Sequence, residues 1–301
     1  MSIKITIFTP TYNRAYIIEN LYNSLKRQTN KNFEWLVVDD GSTDNTEELF
    51  NKWMSEENDF PIRYYKKENG GKCRAINTAL DLAKGKLFFT VDSDDYLTDD
   101  AVEKINKWFL SIKEQDIVKG VVANRGFTEF ETENYIFSEE YLDKSLLDMY
   151  TFYRDGKKVF DGERAFVFFT DFHRKYKYPE FENENFMTEA VVWNRMANDG
   201  YKMRFYNDII WVYEYKEDGL TMAGNSLFTN NPHGYGLWLK EKSIFMKESL
   251  YKRFRLYYTF TCELYEKYDV KTIAECIGAP TFLIIIMLLL HKVKNLSRKT
   301  K

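Results

Sequence analysis

The first third of the chain switches repeatedly between two hydrophobic periods. In "IKITIF" (3–8), Ile3, Ile5 and Ile7 recur at every second position, which predicts a strand with one buried face. Ile17, Ile18, Leu21 and Leu25 then take up helical spacing, and "FEWLVVDD" is a short apolar run ending in acids. "STDNTEELFNKWM" predicts a helix capped by Ser42 or Thr43, with Leu49, Phe50, Trp53 and Met54 turned inward. "IRYYK" is a third strand. "CRAINTALDLAKG" is a helix with Ile76, Ala79, Leu80 and Ala83 on one stripe, stopped by Gly85. "KLFFTV" is a fourth strand, apolar almost throughout, as suits a central parallel strand. Thr98 then caps a helix presenting Ala101, Ile105, Trp108 and Ile112.

Four strand–helix units in about 115 residues predict an α/β fold, with a mostly parallel central sheet and helices on both faces. Beyond residue 120 the pattern loosens. Strand-like pieces ("YIFS", "KVFDG", "MRFYNDIIWVYEY") surround one helical stretch, 189–197, and after "EDGLT" the chain turns helical and basic from Tyr235 to Tyr268. The expected division is an α/β domain over 1–215 and a helical, basic C-terminal region over 216–301.

Composition narrows the class. With 44% hydrophobic and 30% charged residues the chain is a folding one, not a disordered one. Cys73, Cys262 and Cys276 are odd in number, far apart and without metal-ligand rhythm, which fits free thiols in a reducing compartment. "MSIKITIFTP" has no basic segment followed by an apolar one, so no secretory signal is expected and the reading is cytoplasmic. The net charge of −3 conceals an asymmetry: 240–301 carries +7 and the residues before it −10. A basic, aromatic tail commonly meets an anionic membrane or nucleic acid, and here the membrane is preferred and no nucleic acid expected. Ile277 to Leu290 is nearly continuous hydrocarbon, but its 14 residues, interrupted by Gly278 and Pro280, fall short of the roughly 20 that span a bilayer. His291 to Lys301 adds five basic residues and no acid. Two readings stay open: the 277–301 tail dips into the inner face of the cell membrane, or it is a core helix closing the domain.

In open parallel sheets ligands sit beyond the carboxyl ends of the strands. Polar stretches fall at all four ends: "TPTYNR", "DDGSTD", "ENGGK" and "DSDD". Carboxylates at i and i+2, as Asp92 and Asp94 are, can converge on a hard divalent cation that meets a diphosphate; equally, they can form an acidic turn serving the next helix. Asp39-Asp40-Gly41-Ser42 suits either a base edge or an ordinary turn. Gly70-Gly71-Lys72 can offer backbone N–H groups and an ammonium to phosphate or be a solvated turn, and it lacks the pattern of a P-loop.

Taken together, "TPTYNR", "VVDDGSTDNT", "NGGK…AIN" and "FFTVDSDD" resemble the family 2 glycosyltransferases, whose nucleotide-sugar-binding fold is called GT-A. The resemblance covers 3–110 and, more loosely, 180–215. It implies that Asp40, with Asp39 close by, contacts the nucleotide base, and that Pro10 and Tyr12 line the base and ribose pocket. It gives Asp94 a Mn²⁺ or Mg²⁺ ion, with Asp92 against the ribose or completing the metal site. Where many members have "ARN" this chain has Ala75-Ile76-Asn77, so Lys72 or Arg74 meets the diphosphate. The family's catalytic base often opens a helix, with an apolar residue three on and an Arg six on. "MTEAVVWNRMA" fits with Glu189, Val192 and Arg195, Glu standing for Asp. Glu182 and Glu184 are reserves. His233 in "NNPHGYG" is a further metal ligand or a surface histidine. The implied activity is an inverting, metal-dependent transfer of sugar from a nucleotide-diphosphate donor to a hydroxyl of a glycan or lipid-linked acceptor, in surface polysaccharide synthesis. A sugar nucleotidyltransferase needs an N-terminal glycine-rich loop with Arg and Lys that "TIFTPTYNR" does not supply. A catalytically silent nucleotide-sugar-binding protein is the remaining alternative.

Overall fold

A computed structural model of the chain describes residues 4–113, 116–214, 216 and 223–299. Ile3 and the stretch "EDGLT" (217–221) lie outside the described residues. The elements in chain order are β1 (Ile5–Thr11), α1 (Glu19–Arg27), β2 (Phe33–Asp39), α2 (Thr46–Ser55), β3 (Ile62–Lys66), α3 (Lys72–Leu82), β4 (Leu87–Thr90), β5 (Tyr96–Leu97) and α4 (Ala101–Ser111). They continue with β6 (Val118–Gly126), β7 (Leu142–Lys144), β8 (Tyr153–Arg154), β9 (Lys157–Lys158), β10 (Arg164–Phe169), α5 (Thr170–His173), α6 (Ala190–Asn198) and β11 (Lys202–Val212). The last five are α7 (Asn225–Thr229), α8 (Pro232–Phe245), α9 (Leu250–Leu264), α10 (Val270–Ile277) and α11 (Thr281–Lys299).

Two compact units result, Met1–Lys177 with Arg195–Glu217, and Tyr178–Asn194 with Asp218–Lys301. In the first, one sheet runs β3-β2-β1-β4-β10-β6-β11-β5, with β7 beside β11. The pairings β3–β2, β2–β1 and β1–β4 are all parallel, as the alternation of strand and helix predicts. Period-two alternation divides the faces of the parallel strands. Ile5, Ile7, Trp35, Val37, Leu87 and Phe89 share a cluster with Leu21 and Leu25 of α1, Phe50 and Trp53 of α2, and Ile105 and Phe109 of α4. Trp53 stacks on Tyr22 with ring centres 4.3 Å apart, geometry that adds to plain area burial. α3 packs against β1 and β2, and its apolar residues stand outside that cluster.

The second half of the sheet departs from expectation. β10 enters antiparallel to both β4 and β6, while β6 and β11 pair in parallel with register shifts. "YIFS" forms no strand. There the Asn207 side chain replaces one, accepting from the Phe137 N–H and donating to the Phe137 carbonyl at 2.7 Å. Of "KVFDG" (158–162) only Lys158 is extended, as the second residue of β9 in a small hairpin with β8. α2 starts at Thr46, not at Ser42 or Thr43, because the Asp44 carboxylate receives both the Thr46 N–H and hydroxyl; Met54 faces outward. Thr98 donates to the Asp100 carboxylate and does not cap α4. Gly85 lies three residues past α3, where a Cβ would meet the Thr6 backbone nitrogen at 2.4 Å.

The second unit packs α8 to α11 around Phe260, Leu264, Ile273, Ile277, Ile284 and Met287. The stretch 235–268, expected to be helical, holds most of α8 and all of α9, separated at Lys247, which has a positive φ of 50°. Segment 178–194, expected in the α/β domain, belongs here. The Glu184 carboxylate accepts from the N–H groups of His233 and Gly234 at the start of α8, satisfying donors a helix leaves unpaired. Asn231 likewise accepts from the N–H groups of Asn185 and Phe186.

Candidate functional site

The carboxyl ends of β1, β2, β3 and β4 are stitched together by main-chain hydrogen bonds that run on past the strands. Asp40 N–H donates to Thr11 O at 2.8 Å, Lys67 N–H to Asp39 O at 2.9 Å, and Val91 N–H to Phe8 O at 2.8 Å. The polar loops therefore leave the sheet side by side. Asn13, with φ of 53°, clamps two of them: its N–H donates to the Ser42 hydroxyl and its side-chain oxygen accepts from Thr43 N–H, each at 2.8 Å. Asn tolerates this left-handed conformation better than other side chains bearing a Cβ.

The two acids after β2 are used differently. Asp39 is fully buried; one oxygen accepts from Ser42 N–H at 2.7 Å and the other from the Tyr64 hydroxyl. Burial and that contact push the Tyr64 hydroxyl far above its ordinary range. Asp40 ties down the glycine loop. Its Oδ1 accepts from Gly70 N–H at 3.0 Å and from Lys67 Nζ at 2.8 Å, and its Oδ2 from Gly71 N–H at 2.6 Å. A carboxylate has about four acceptor sites, so Asp40 retains one on Oδ2. Gly41 is required here: φ is 87° and a Cβ would stand 2.9 Å from the Asn69 nitrogen. Pro10 is the next-to-last residue of β1, beside Val38, and Tyr12 follows the strand half exposed.

The acids after β4 form the charged floor. Lys72, the first residue of α3, reaches Asp92 Oδ1 at 2.7 Å. Burial opposes ionisation of Asp92, but Lys72 and Arg125 outweigh it and hold the carboxyl below its usual range. Asp95 is buried, and its Oδ2 receives Arg125 at 2.5 Å and the Trp211 indole N–H at 2.8 Å. Arg125 also stacks over the Trp211 ring at 4.0 Å. Asp94 makes no ion pair among the described residues, and burial together with the charge of Asp92 raises its carboxyl. Arg74 donates to Gly70 O at 3.1 Å.

The structure thus brings Asp39, Asp40, Lys72, Arg74 and Asp92, with the loops carrying Pro10 and Tyr12, to one sheet edge. It adds Arg125, Trp211 and Asn13, none of which sequence reasoning singled out. Arg125 and Trp211 lie on β6 and β11, in the half where the pattern was weak. Among the described residues no three His, Cys, Asp or Glu side chains form a group that could hold a metal alone. The donor set nonetheless suits one kind of ion. Burial and the charge of Asp92 raise the Asp94 carboxyl although Arg14 and Lys72 act against them, and hard divalent ions bound through one or two carboxylates take their other oxygens from phosphates and water.

The remaining candidates lie in the second unit. Glu189 precedes α6, half-buried, with its carbonyl accepting from Val192 and Trp193 N–H at 3.1 and 3.2 Å, so it opens the helix as predicted. The reserve Glu184 is consumed by the start of α8. His233 Nδ1 lies 2.8 Å from Glu184 Oε1, and its ring stacks on Phe181.

Comparison with known proteins adds to this geometry. The family model described as "Glycosyl transferase family 2" matches residues 6–177, more than half the chain. A chondroitin synthase of Pasteurella multocida is 42% identical over 109 residues, 36% of this chain but only 11% of that protein. A glycosyltransferase of Streptococcus pneumoniae, GlyG, is 28% identical over 218 residues, 71% of each chain. Among solved structures, a mannosyltransferase of Pyrobaculum calidifontis in complex with GDP-Man and Mn²⁺ shares the fold, with a TM-score of 0.57 and 18% identity; the match covers 98% of this chain and 81% of that one.

Proposed function

The chain belongs to glycosyl transferase family 2, and we propose that it moves a sugar, with inversion, from a nucleotide-diphosphate donor to a hydroxyl of a glycan or lipid-linked acceptor in surface polysaccharide synthesis. The observation that carries the reading is the charge balance after β4. Of three neighbouring acids, two are neutralised from within, by Lys72 and Arg125, and Asp94 is left for a ligand-borne cation. The mannosyltransferase of the same fold, solved with GDP-Man and Mn²⁺, supports that choice of ligand.

In this reading Asp40 offers its remaining Oδ2 site to the base edge, while Asp39 and Asn13 hold the loops that carry it. Tyr12 supplies a ring face for the base or ribose. Asp94, assisted by Asp92, holds a divalent cation. That cation, when bound, supplies positive charge to the departing diphosphate. The glycosidic C–O bond to the diphosphate breaks as the acceptor oxygen bonds to the anomeric carbon, and Glu189 takes the acceptor's proton. Lys72 and Arg74 add positive charge beside the phosphates, and His233, tied to Glu184, is left out of the metal shell.

A thermal-shift panel of nucleoside diphosphates with and without Mn²⁺ tests the site. A ligand bound only by the folded state raises the unfolding temperature by mass action. One nucleotide should do so, only with the metal, and lose the effect in Asp94→Asn. Glu189→Gln should keep the shift yet lose at least about a hundredfold in sugar transfer, the usual scale for removing a general base. Transfer surviving in both variants overturns the mechanism, and transfer of a nucleotidyl group would reassign the class.

A further inference from the structure

α11 has two apolar faces, and its own unit uses only one. Ile284 and Met287 are fully buried in the helical core, and the Thr261 hydroxyl meets Met287 Sδ at 3.7 Å. Outward stand Phe282, Ile285, Ile286, Leu289, Leu290 and Val293, each between 45% and 65% exposed. Their spacing of three, four, seven, eight and eleven residues from Phe282 makes one continuous stripe about 17 Å long at 1.5 Å per residue. Six large side chains in one stripe are more than scattered surface hydrophobes. Charge follows the same helix. No Asp or Glu occurs after Glu275, while Lys292, Lys294, Arg298, Lys299 and Lys301 close the chain, with Lys292 and Lys294 exposed.

We infer that this stripe docks the protein onto an anionic lipid leaflet, α11 lying in the plane of the interface with its apolar side among the acyl chains and its lysines at the phosphates. The helix does not cross. Among the described residues no single helix is long and apolar enough to do so. α10, which meets α11 at a bend of 114°, is held back because its inner face fills the core and its outer face carries Lys271 and Glu275. Charge complementarity selects lipid over a second copy of the chain: with no acid after Glu275, α11 of a copy offers these lysines no partner, whereas an anionic surface does.

The test is co-sedimentation of the full chain with vesicles of phosphatidylcholine alone or mixed in equal parts with phosphatidylglycerol. The wild-type protein should pellet with the mixed vesicles and bind the neutral ones at least about tenfold less, with binding falling as salt rises. Ile286→Glu with Leu290→Glu, at positions outside the core, should lower binding at least about tenfold. Lys292→Gln with Lys294→Gln keeps the stripe and should weaken only the phosphatidylglycerol-dependent part. Thermal unfolding checks that each variant folds, and the lysine pair decides if the glutamate pair does not. Wild-type protein remaining in the supernatant with both vesicles overturns the inference. So does a glutamate pair that binds like wild type, or one that only converts a dimer to monomers in light scattering. Lipid binding needs no donor site, so its loss and the loss of sugar transfer are separate failures.

Discussion

Asp92, Asp94 and Asp95 are near neighbours with different partners. Lys72 answers the first, a cation brought by a ligand is proposed for the second, and Arg125 answers the third from 30 residues away. The last pair is the most buried, and Arg125 there bears on both Asp95 and the Trp211 ring. Burial raises the Asp95 carboxyl to about 7 even against Arg125, so Arg125→Met should cost about 3–5 kcal/mol, by leaving Asp95 either charged and unpaired or forced to take up a proton. Arg125→Met combined with Asp95→Asn should recover much of that loss, because the orphaned charge is gone. Urea unfolding followed by tryptophan fluorescence measures both; strictly additive losses would show that the two residues are not coupled. The sequence displayed the three acids and the glycine loop plainly, because local spacing announces them. It did not display who neutralises whom, since Arg125 reaches Asp95 only after β6 is built into the sheet.

Among the elements, those with a sustained period were legible. Strands β1 to β4 and helices α1 to α4 fall where alternation and helical stripes put them, with errors confined to their ends. Those ends were decided by side chains that compete for backbone donors, Asp44 at α2 being the clearest. β6 and β10 were missed: "KGVVANRG" holds only Val121, Val122 and Ala123 as an apolar core between polar residues, and "RAFVFF" is apolar at five successive positions, so neither carries a period to read. Helix contacts were equally invisible. Gly236 sits inside α8, where Ala would ordinarily stabilise a helix by roughly 1 kcal/mol. Here a Cβ would stand 2.3 Å from the Cys276 carbonyl oxygen, so α8 and α10 would have to part. Gly236→Ala should accordingly destabilise the helical unit by about 1–3 kcal/mol, the range for overpacking. Hydrogen exchange would show the loss as faster exchange in α8 and α10; slower exchange there would mean the propensity gain prevails and the contact is slack.

At the scale of the whole molecule, a buried histidine is one of the groups that link global stability to pH. His173 ends α5 with its ring against Phe88 at 5.6 Å and Phe168 at 4.6 Å, inside the sheet layer. Burial drives its pKa from 6.5 down to about 3. Folding thus favours the neutral ring, while the unfolded chain takes up a proton as soon as pH falls below 6.5. Between those two values the unfolded chain holds one more proton on this ring than the folded state does, and the ring's contribution to stability drops by about 1.4 kcal/mol for each pH unit of acidification. From pH 6.5 to 5 that amounts to roughly 2 kcal/mol from one side chain, a large part of a typical folding free energy. Most carboxylates titrate lower still. Burial raises Asp95 to about 7, however, so the folded state takes up that proton in the same window and offsets the loss. The histidine is read from the difference between wild type and a variant without it. His173→Phe keeps an aromatic ring among aromatic neighbours and removes the titration. Relative to wild type, its unfolding free energy, measured in urea at pH 7, 6 and 5, should rise by about 1.4 kcal/mol for each pH unit of acidification below 6.5, whatever the packing change does to the absolute value. Parallel curves would mean that the buried ring is not what makes acid costly, and that the loss arises in the paired carboxylates after β2 and β4.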